Sequence, residues 1–225
     1  MTDQEIAALM AKAQDCDPSA ATLRELEQAL RQVMASRPRA PIAGQLWQTL
    51  VDLSSQAGRR EDYLKNLKGR ARWTEDARGA SYMDILKAWH ELGDAADEDF
   101  DFATATEAWE RIAETEWPAN APPAAQRLLA DALRHLGARR LTADPQTARA
   151  IFARELRLRE AFDGAEHPNM ATSLDNLATA SEALGDIESA VAFRTRQLSI
   201  VEATFGPDHT TSNAVRNKLN ALRKL

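Results

Sequence analysis

Few groups of residues in this sequence have the types and spacing that metal binding or catalysis requires. His90 and His135 are candidates for a metal pair on neighbouring helices, but no Cys, Asp or Glu at a recognisable spacing completes a ligand set. The acidic run that begins at Asp97 fails as a calcium-binding EF-hand, which would need glycine at Phe102 and glutamate at Ala108. No phosphate-binding glycine loop, nucleophile elbow or histidine–glutamate metal motif is present. The sequence therefore predicts a protein that is not an enzyme and uses no metal or cofactor.

The second half of the chain repeats itself with a period of 42 residues. The matching pairs include Ala148 and Ala190, Leu156 and Leu198, Gly164 and Gly206, and His167 and His209. Self-similarity at such a period is typical of proteins built from stacked structural repeats. His167 and His209 fall in equivalent loops just before predicted helices, where capping explains a histidine better than catalysis does.

The repeated unit has the pattern of a helical hairpin. Met170, Leu174 and Leu177 recur at helical spacing, and Gly185 follows as a residue that can end a helix in the left-handed conformation. A second amphipathic helix is predicted to begin near Asp186. Because one hairpin cannot bury its apolar faces alone, neighbouring hairpins are expected to stack against each other.

Similar hairpins are predicted upstream, with glycines ending their first helices. These glycines are Gly58, Gly93 and Gly137. The residues from Asp94 to Asp101 are expected to form a solvated acidic loop, with Phe100 and Phe102 tucked beneath it. The five tryptophans are expected to lie between helices, with one exposed binding anchor as the alternative: Trp47, Trp73, Trp89, Trp109 and Trp117.

The two ends of the chain are predicted to cap the array. Thr2 and Glu5 have the spacing of a capping box, and Asp17 with Pro18 is predicted to start a second helix. We expect an N-terminal capping hairpin over 1–36, repeats over 41–205 and a polar capping helix over 209–225. Together these give about eleven helices in a single solenoid that spans residues 1–225.

The composition of the chain restricts the kinds of partner and the cellular location that we expect. The chain has 225 residues, of which 44% are hydrophobic and 28% charged, with a net charge of −6. This negative charge argues against general binding of nucleic acid or of anionic membranes. No apolar run is long enough to span a membrane, and the N-terminus lacks the pattern of a signal peptide. Cys16 is the single cysteine, which excludes an internal disulfide framework and favours a cytoplasmic location.

The repeat resembles a tetratricopeptide repeat. The matching residues are Leu174, Asn176, Leu177, Ala178, Gly185, Asp186, Ala190, Leu198 and Ile200. The 42-residue period, the His167-Pro168 lead-in and the Gly206-Pro207-Asp208-His209 loop resemble the kinesin-light-chain-like variety. Two positions depart from the family pattern, with Arg194 where an aromatic residue is usual and Gln197 where a small residue is expected. The resemblance implies an all-α, right-handed α-solenoid of tetratricopeptide-like hairpins.

The resemblance also implies a binding groove. In this family the first helix of each hairpin lines a concave surface that holds an extended peptide or a partner helix. The residues of this chain that map there are Gln48, Thr49, Asp52, Lys87, His90, Arg127, Asp131, Arg134, Asp175, Asn176, Thr179 and Lys218. Asn176 stands where family members often use an asparagine to hydrogen-bond the ligand backbone, because a carboxamide can both donate and accept.

The cations of the predicted groove bear on the chemistry of the ligand. Lys87, Arg127, Arg134 and Lys218 would make the groove more basic than the whole chain, which favours an acidic segment or a terminal carboxylate. The alternative is that they are solvated surface residues.

The expected function is that of a non-enzymatic scaffold that binds a protein or peptide partner. Two alternatives remain at this stage. One is a module that self-assembles through its exposed faces or terminal helices. The other is a regulatory protein that senses a ligand in a pocket between hairpins.

Overall fold

The described residues of this computed structural model form helices and no strands. They are 1–15, 19–77, 80–115, 118 and 121–225. The eleven helices are α1 (Asp3–Asp15), α2 (Ala20–Ser36), α3 (Pro41–Gln56), α4 (Arg60–Asp76), α5 (Tyr82–Glu98), α6 (Phe102–Glu114), α7 (Pro123–Arg140), α8 (Pro145–Asp163), α9 (Met170–Ala183), α10 (Ile187–Phe205) and α11 (Thr210–Leu222). The all-α prediction is confirmed. Cys16 and Trp117, together with the predicted helix start at Asp17 and Pro18, lie outside the described residues.

The first of two compact units runs from Met1 to Ala108, so its boundary falls within α6. The predicted capping box is present at the start of α1, where the Thr2 amide donates to Glu5 over 2.7 Å and the Glu5 amide donates to Thr2 over 3.3 Å. A buried cluster shared by α1, α2 and α3 forms much of the core of this unit. It includes Ile6, Leu26, Leu30, Leu46, Leu50 and Leu53.

The second unit, Trp109–Leu225, displays the 42-residue period in its backbone. The side chain of Asp144 caps α8 by accepting from the Thr147 amide over 3.0 Å, and Asp186 does the same for α10 from Ser189 over 3.1 Å. Both helices are 19 residues long. A positive-φ glycine follows each of them, at φ 93° in the first repeat and 94° in the second. The predicted repeat is confirmed at the level of helix starts and ends.

The two loop histidines have the predicted capping role. The ring nitrogen Nδ1 of His167 accepts from the Asn169 amide over 3.2 Å, and Nδ1 of His209 accepts from the Thr211 amide over the same distance. Each ring thereby satisfies an amide that would otherwise be left unpaired near the start of a helix.

The prediction that a glycine ends the first helix of each hairpin is confirmed for two turns and is wrong for two others. Gly58 and Gly185 end hairpin turns with φ of 64° and 72°, whereas Gly93 and Gly137 lie inside α5 and α7. Because α5 continues to Glu98, most of the predicted acidic loop is helical.

The predicted burial of two phenylalanines next to this turn is also wrong. The structure leaves Phe100 78% exposed and Phe102 55% exposed. The turn between α5 and α6 is made by Phe100 itself, so its ring points into solvent instead of beneath a loop.

Ion pairs join the second helices of successive hairpins. In the first unit, Lys65 of α4 reaches Glu27 of α2 over 3.0 Å. In the second unit, Arg196 of α10 reaches Glu160 of α8 over 2.6 Å. Such partly exposed pairs contribute little stability. No helix in the described residues is long and apolar enough to cross a membrane.

Candidate peptide-binding face

Asn176 lies near the middle of α9, beside the stripe of residues that anchors this helix. Leu174 and Leu177 are buried in a core cluster that also contains Phe152 of α8 and Ile200 of α10. Asn176 is half-buried, and its carboxamide has no hydrogen-bond partner in the described part of the chain. The core therefore holds the backbone of α9 in place, while this one amide side chain keeps its donors and acceptor available.

The other two predicted site residues of α9 are held by a buried arginine. Arg194 of α10 is only 2% exposed and donates to the carboxylate of Asp175. Its second terminal nitrogen donates to Glu182 over 3.0 Å and to the Thr179 hydroxyl over 3.2 Å. Gln197 adds a bond to Asp175 over 3.2 Å. Asp175 and Thr179 thus belong to a polar network that fastens α9 to α10.

Asp175 stays ionised in this network. Burial acts to raise the pKa of its carboxyl, but the charge and hydrogen bond of Arg194 lower it more, so the pKa lies below its usual value. Lys218 of α11 brings a further positive charge within 3.5 Å of the same carboxylate. The structure therefore brings Asp175, Thr179 and Lys218 together around Arg194, with Asn176 beside them.

The cations predicted for the second unit each lie beside a carboxylate. The pairs are Arg127 with Asp163 at 3.4 Å, Arg134 with Asp131 at 4.0 Å, and Lys218 with Asp175 at 3.5 Å, measured from nitrogen to oxygen. Exposed pairs of this kind are weak and exchange readily with other charges. The net positive charge of this face is consequently smaller than the sequence alone suggests.

A buried carboxylate next to this face was missed at the sequence level. Glu155 of α8 is fully buried, and its Oε1 accepts from Arg159 over 2.5 Å and from the Ser173 hydroxyl over 2.8 Å. Its Oε2 has no hydrogen-bond partner in the described structure. Arg159 also donates to Asp131 over 2.7 Å, so the predicted site residue Asp131 belongs to this cluster. The available signal was the repeat itself, which puts Glu155 at the position of Gln197, 42 residues later.

Replacing Glu155 by glutamine is expected to stabilise the protein by about 1 kcal/mol near pH 8 and by much less near pH 4. Burial raises the pKa of Glu155 above its usual value, against the opposing hydrogen bonds of Arg159 and Ser173. A raised carboxyl pKa contributes stability that is present below the unfolded-state value of 4.5 and is lost as pH rises through the folded-state value. In the glutamine variant this loss of stability with rising pH does not occur. Urea unfolding across this pH range measures the difference in free energy of unfolding between the variant and the wild type.

The matched control for this prediction is the reverse change, Gln197→Glu. The Gln197 amide donates to the Ala171 carbonyl over 3.1 Å, and a carboxylate cannot make that bond. This variant should therefore lose stability as pH rises. Equal pH dependence in the wild type and Glu155→Gln would contradict the assignment of the buried carboxylate.

The predicted site residues of α3 differ in accessibility, since Gln48 is exposed, Asp52 is half-buried and Thr49 is buried. Gln48 donates to Asp52 over 2.8 Å and accepts from Arg70 over 2.8 Å. Thr49 is 4% exposed, because α1 packs against α3 on this side. Between the two helices remains a cavity of about 340 Å³, which Gln48, Thr49 and Asp52 line together with Met10. Thr49 is thus a buried residue of the α1–α3 contact.

The two predicted site residues on α5, Lys87 and His90, differ in their surroundings. Lys87 is exposed and takes part in no ion pair among the described residues. His90 Nδ1 lies 3.0 Å from the carboxylate of Asp94, one turn further along the helix. The second histidine that the sequence singled out, His135, stacks on the Trp109 ring with centroids 4.7 Å apart. No group of three or more potential metal ligands occurs in the described ranges.

Two tryptophans are core residues and two line a cavity. Trp89 and Trp109 are buried, as the sequence predicts. Trp47 and Trp73 are partly buried and line a cavity of about 440 Å³ with Met34, Pro38 and Gly69. The indole nitrogen of Trp47 is buried without a hydrogen-bond partner, whereas that of Trp73 donates to the Pro38 carbonyl over 2.8 Å.

Comparison with known proteins gives the fold class. No family model matches the chain, and no curated protein matches its sequence. Among solved structures the chain is similar to BtubC (BKLC) from P. vanneervenii, with 16% identity, coverage of 97% of this chain and 83% of that chain, and a TM-score of 0.60. It is also similar to a kinesin-light-chain-like protein from Podosopora anserina with nearly identical TPR-like repeats, with 19% identity, coverage of 90% and 96%, and a TM-score of 0.49.

The fold is that of a tetratricopeptide-like helical repeat protein, an all-α solenoid of helical hairpins. The match to BtubC covers 97% of this chain. The resemblance inferred from the sequence is thereby confirmed for the fold.

Proposed function

We propose that this protein is a non-enzymatic scaffold that binds an extended peptide or partner segment along α7, α9 and α11. Tetratricopeptide-like folds serve protein interaction in general, which supports the broad class. The narrower assignment rests on Asn176, whose unpaired carboxamide stands beside the Asp175–Lys218 pair on a helix held by the core. A carboxamide in this setting can donate to a peptide carbonyl and accept from a peptide amide at the same time.

The preferred ligand has a backbone that Asn176 can bind and an acidic group that the nearby cations can pair with. The exposed pairs of Arg127 and Lys218 can exchange partners when a carboxylate arrives, at little cost. Because each cation already has a partner, charge is expected to contribute less to affinity than the amide contacts do. Reversing the charge of Arg127 and Arg134 should therefore weaken binding only modestly.

Replacing Asn176 by alanine is expected to weaken peptide binding by about tenfold, since one side chain that makes two hydrogen bonds is lost. Ligands can be selected from a random peptide library on the wild-type protein and their dissociation constants measured by fluorescence anisotropy. Asn220→Ala is the matched control, because Asn220 is an exposed asparagine of α11 that is not among the residues of the predicted groove. Peptides that bind Asn176→Ala and the wild type with equal affinity would contradict the proposal.

One alternative function has a specific observation in its favour. The cavity lined by Trp47 and Trp73 has a volume of about 440 Å³, within the range of small-molecule sites, and an aromatic lining suited to a flat apolar ligand. A ligand-sensing role would use this cavity instead of the α9 face. Binding of a ligand there would quench tryptophan fluorescence and would be insensitive to Asn176→Ala, which separates the two functions.

A further inference from the structure

Two tryptophans of the first unit lie against glycines in a reciprocal arrangement. Trp73 of α4 lies across Gly44 of α3, where an added Cβ atom would come within 2.5 and 2.6 Å of two ring carbons. Trp47 of α3 lies across Gly69 of α4, where an added Cβ atom would be closer still to the ring. Each helix thus has a glycine at the point where the tryptophan of the other helix crosses it, because a larger residue would leave no room for the ring.

The surroundings of the two rings hold them in place and leave a cavity beside them. Both tryptophans pack against the buried cluster shared by α1, α2 and α3. The indole nitrogen of Trp73 donates to the Pro38 carbonyl over 2.8 Å, which orients that ring. The cavity of about 440 Å³ that both rings line is therefore preformed, and its volume lies near the lower end of the range for small-molecule sites.

The same cavity is lined by three charged residues, Arg39, Arg72 and Asp76. Arg72 already donates to Glu107 over 2.9 Å. Arg39 and Asp76 are exposed, and neither has a hydrogen bond or an ion pair within the described part of the chain. The cavity therefore combines an aromatic lining with one available cation and one available anion.

The two available charges favour a ligand that itself carries both signs. An organic anion could pair with Arg39 but would be repelled by Asp76, and an organic cation would meet the opposite conflict. The carboxylate of an α-amino acid can accept from the Arg39 guanidinium while its ammonium group donates to the Asp76 carboxylate. An aromatic side chain on the same molecule can stack on the tryptophan rings.

We propose that this cavity binds a free aromatic amino acid against its tryptophan rings, with the carboxylate at Arg39 and the ammonium group at Asp76. The proposal rests on the ligand-sensing function, since it gives the ligand of that cavity a chemical class. Binding here is independent of the α9 face, because every lining residue of the cavity belongs to the first unit.

Calorimetric titration with ligands that share one ring tests which groups of the ligand are needed. L-Tryptophan should bind at least about fivefold more tightly than indole-3-propionate, which lacks the ammonium group, and than tryptamine, which lacks the carboxylate. Indole itself, which has neither charge, should bind more weakly than all three. L-Alanine, which has both charges but no ring, should give no measurable binding.

Two substitutions assign the charged groups of the ligand to residues of the protein. Arg39→Gln should weaken the binding of L-tryptophan and of indole-3-propionate about fivefold, but not that of tryptamine. Asp76→Asn should weaken the binding of L-tryptophan and of tryptamine, but not that of indole-3-propionate. Both side chains are exposed and unpaired, so neither change should affect folding. The matched controls Arg31→Gln and Glu25→Gln, which replace exposed residues of α2 outside the cavity, should leave every affinity unchanged.

The possible outcomes separate this proposal from the ligand-sensing function. If indole binds as tightly as L-tryptophan, the cavity takes an apolar ligand, and the amino-acid assignment alone is overturned. The assignment is equally overturned if either singly charged ligand binds as tightly as L-tryptophan. Absence of binding by all of these ligands would overturn both the assignment and the ligand-sensing function. Peptide binding at the α9 face is measured separately and does not depend on any of these results.

Discussion

Replacing Arg194 by leucine is expected to lower the free energy of unfolding by about 2 kcal/mol. Arg194 is 2% exposed, and its guanidinium binds Asp175, Glu182 and Thr179. Leucine can fill part of the volume but leaves the two carboxylates without their buried partner. Removal of one member of a buried pair costs more than this, but both carboxylates are 35% exposed, so water compensates part of the loss.

The loss of stability in Arg194→Leu should depend on pH. Arg194 helps to hold the pKa of Asp175 below its usual value of 3.8 against the opposing effect of burial. A lowered carboxyl pKa contributes stability above the unfolded-state value, and this stability disappears as pH falls through the folded-state value. The difference between the wild type and Arg194→Leu should therefore be full at neutral pH and become smaller below about pH 4.

A neighbouring arginine provides the control for this prediction. Arg196 lies on the same helix and pairs with Glu160 over 2.6 Å, but its side chain is 32% exposed. Arg196→Leu should cost less than about 1 kcal/mol in urea unfolding. If both variants lost the same stability, the network around Arg194 would be no more important than a surface ion pair.

The same network shows what the sequence could and could not predict. The repeat pattern marks Arg194 and Gln197 as two separate departures, one from an aromatic residue and one from a small residue. In the structure the two side chains bond to each other over 3.0 Å, and both bond to Asp175 on the preceding helix. A position-by-position comparison with a repeat pattern cannot reveal this, because the compensation involves three residues on two helices.

Local rules predicted the boundaries of the repeat well. The residues that start and end the repeat helices act on their own neighbouring backbone, with Asp144 and Asp186 at the starts and Gly164 and Gly206 at the ends. Residue type and spacing were therefore sufficient to predict these helix boundaries. The rule that glycine ends a first helix was wrong at Gly93 and Gly137, because it ignores other uses of glycine and turns made without it.

Contacts between distant segments limited the prediction of the candidate face. Helical periodicity places Thr49 near Gln48 and Asp52, but it does not reveal that α1 packs over this side of α3 and buries Thr49. Similarly, the carboxylates beside Arg127 and Lys218 come from other helices, so the charge of the face depends on packing. The sequence identified Asn176 by resemblance, and its role as a ligand contact stays a prediction.

Replacing Gly137 by alanine is expected to lower the free energy of unfolding by about 2 kcal/mol, although alanine forms helices better. A Cβ atom at Gly137 would lie 2.5, 2.7 and 2.9 Å from three carbons of the Phe152 ring. Phe152 is fully buried, so the ring has no solvent-filled space into which it can move. The gain in helix propensity is only about 1 kcal/mol, which is less than overpacking at three ring carbons costs.

The sign of this effect should reverse when the ring is made smaller. In a Phe152→Leu background the side chain at position 152 no longer fills the space above Gly137, so alanine should there add up to about 1 kcal/mol through its helix propensity. A double-mutant cycle in urea compares the four proteins and isolates the contact between the two positions. Equal and additive losses in both backgrounds would show that Gly137 is needed for another reason. A sign reversal would establish that this glycine, which the sequence suggested as a helix end, is required because it lets α7 and α8 approach closely.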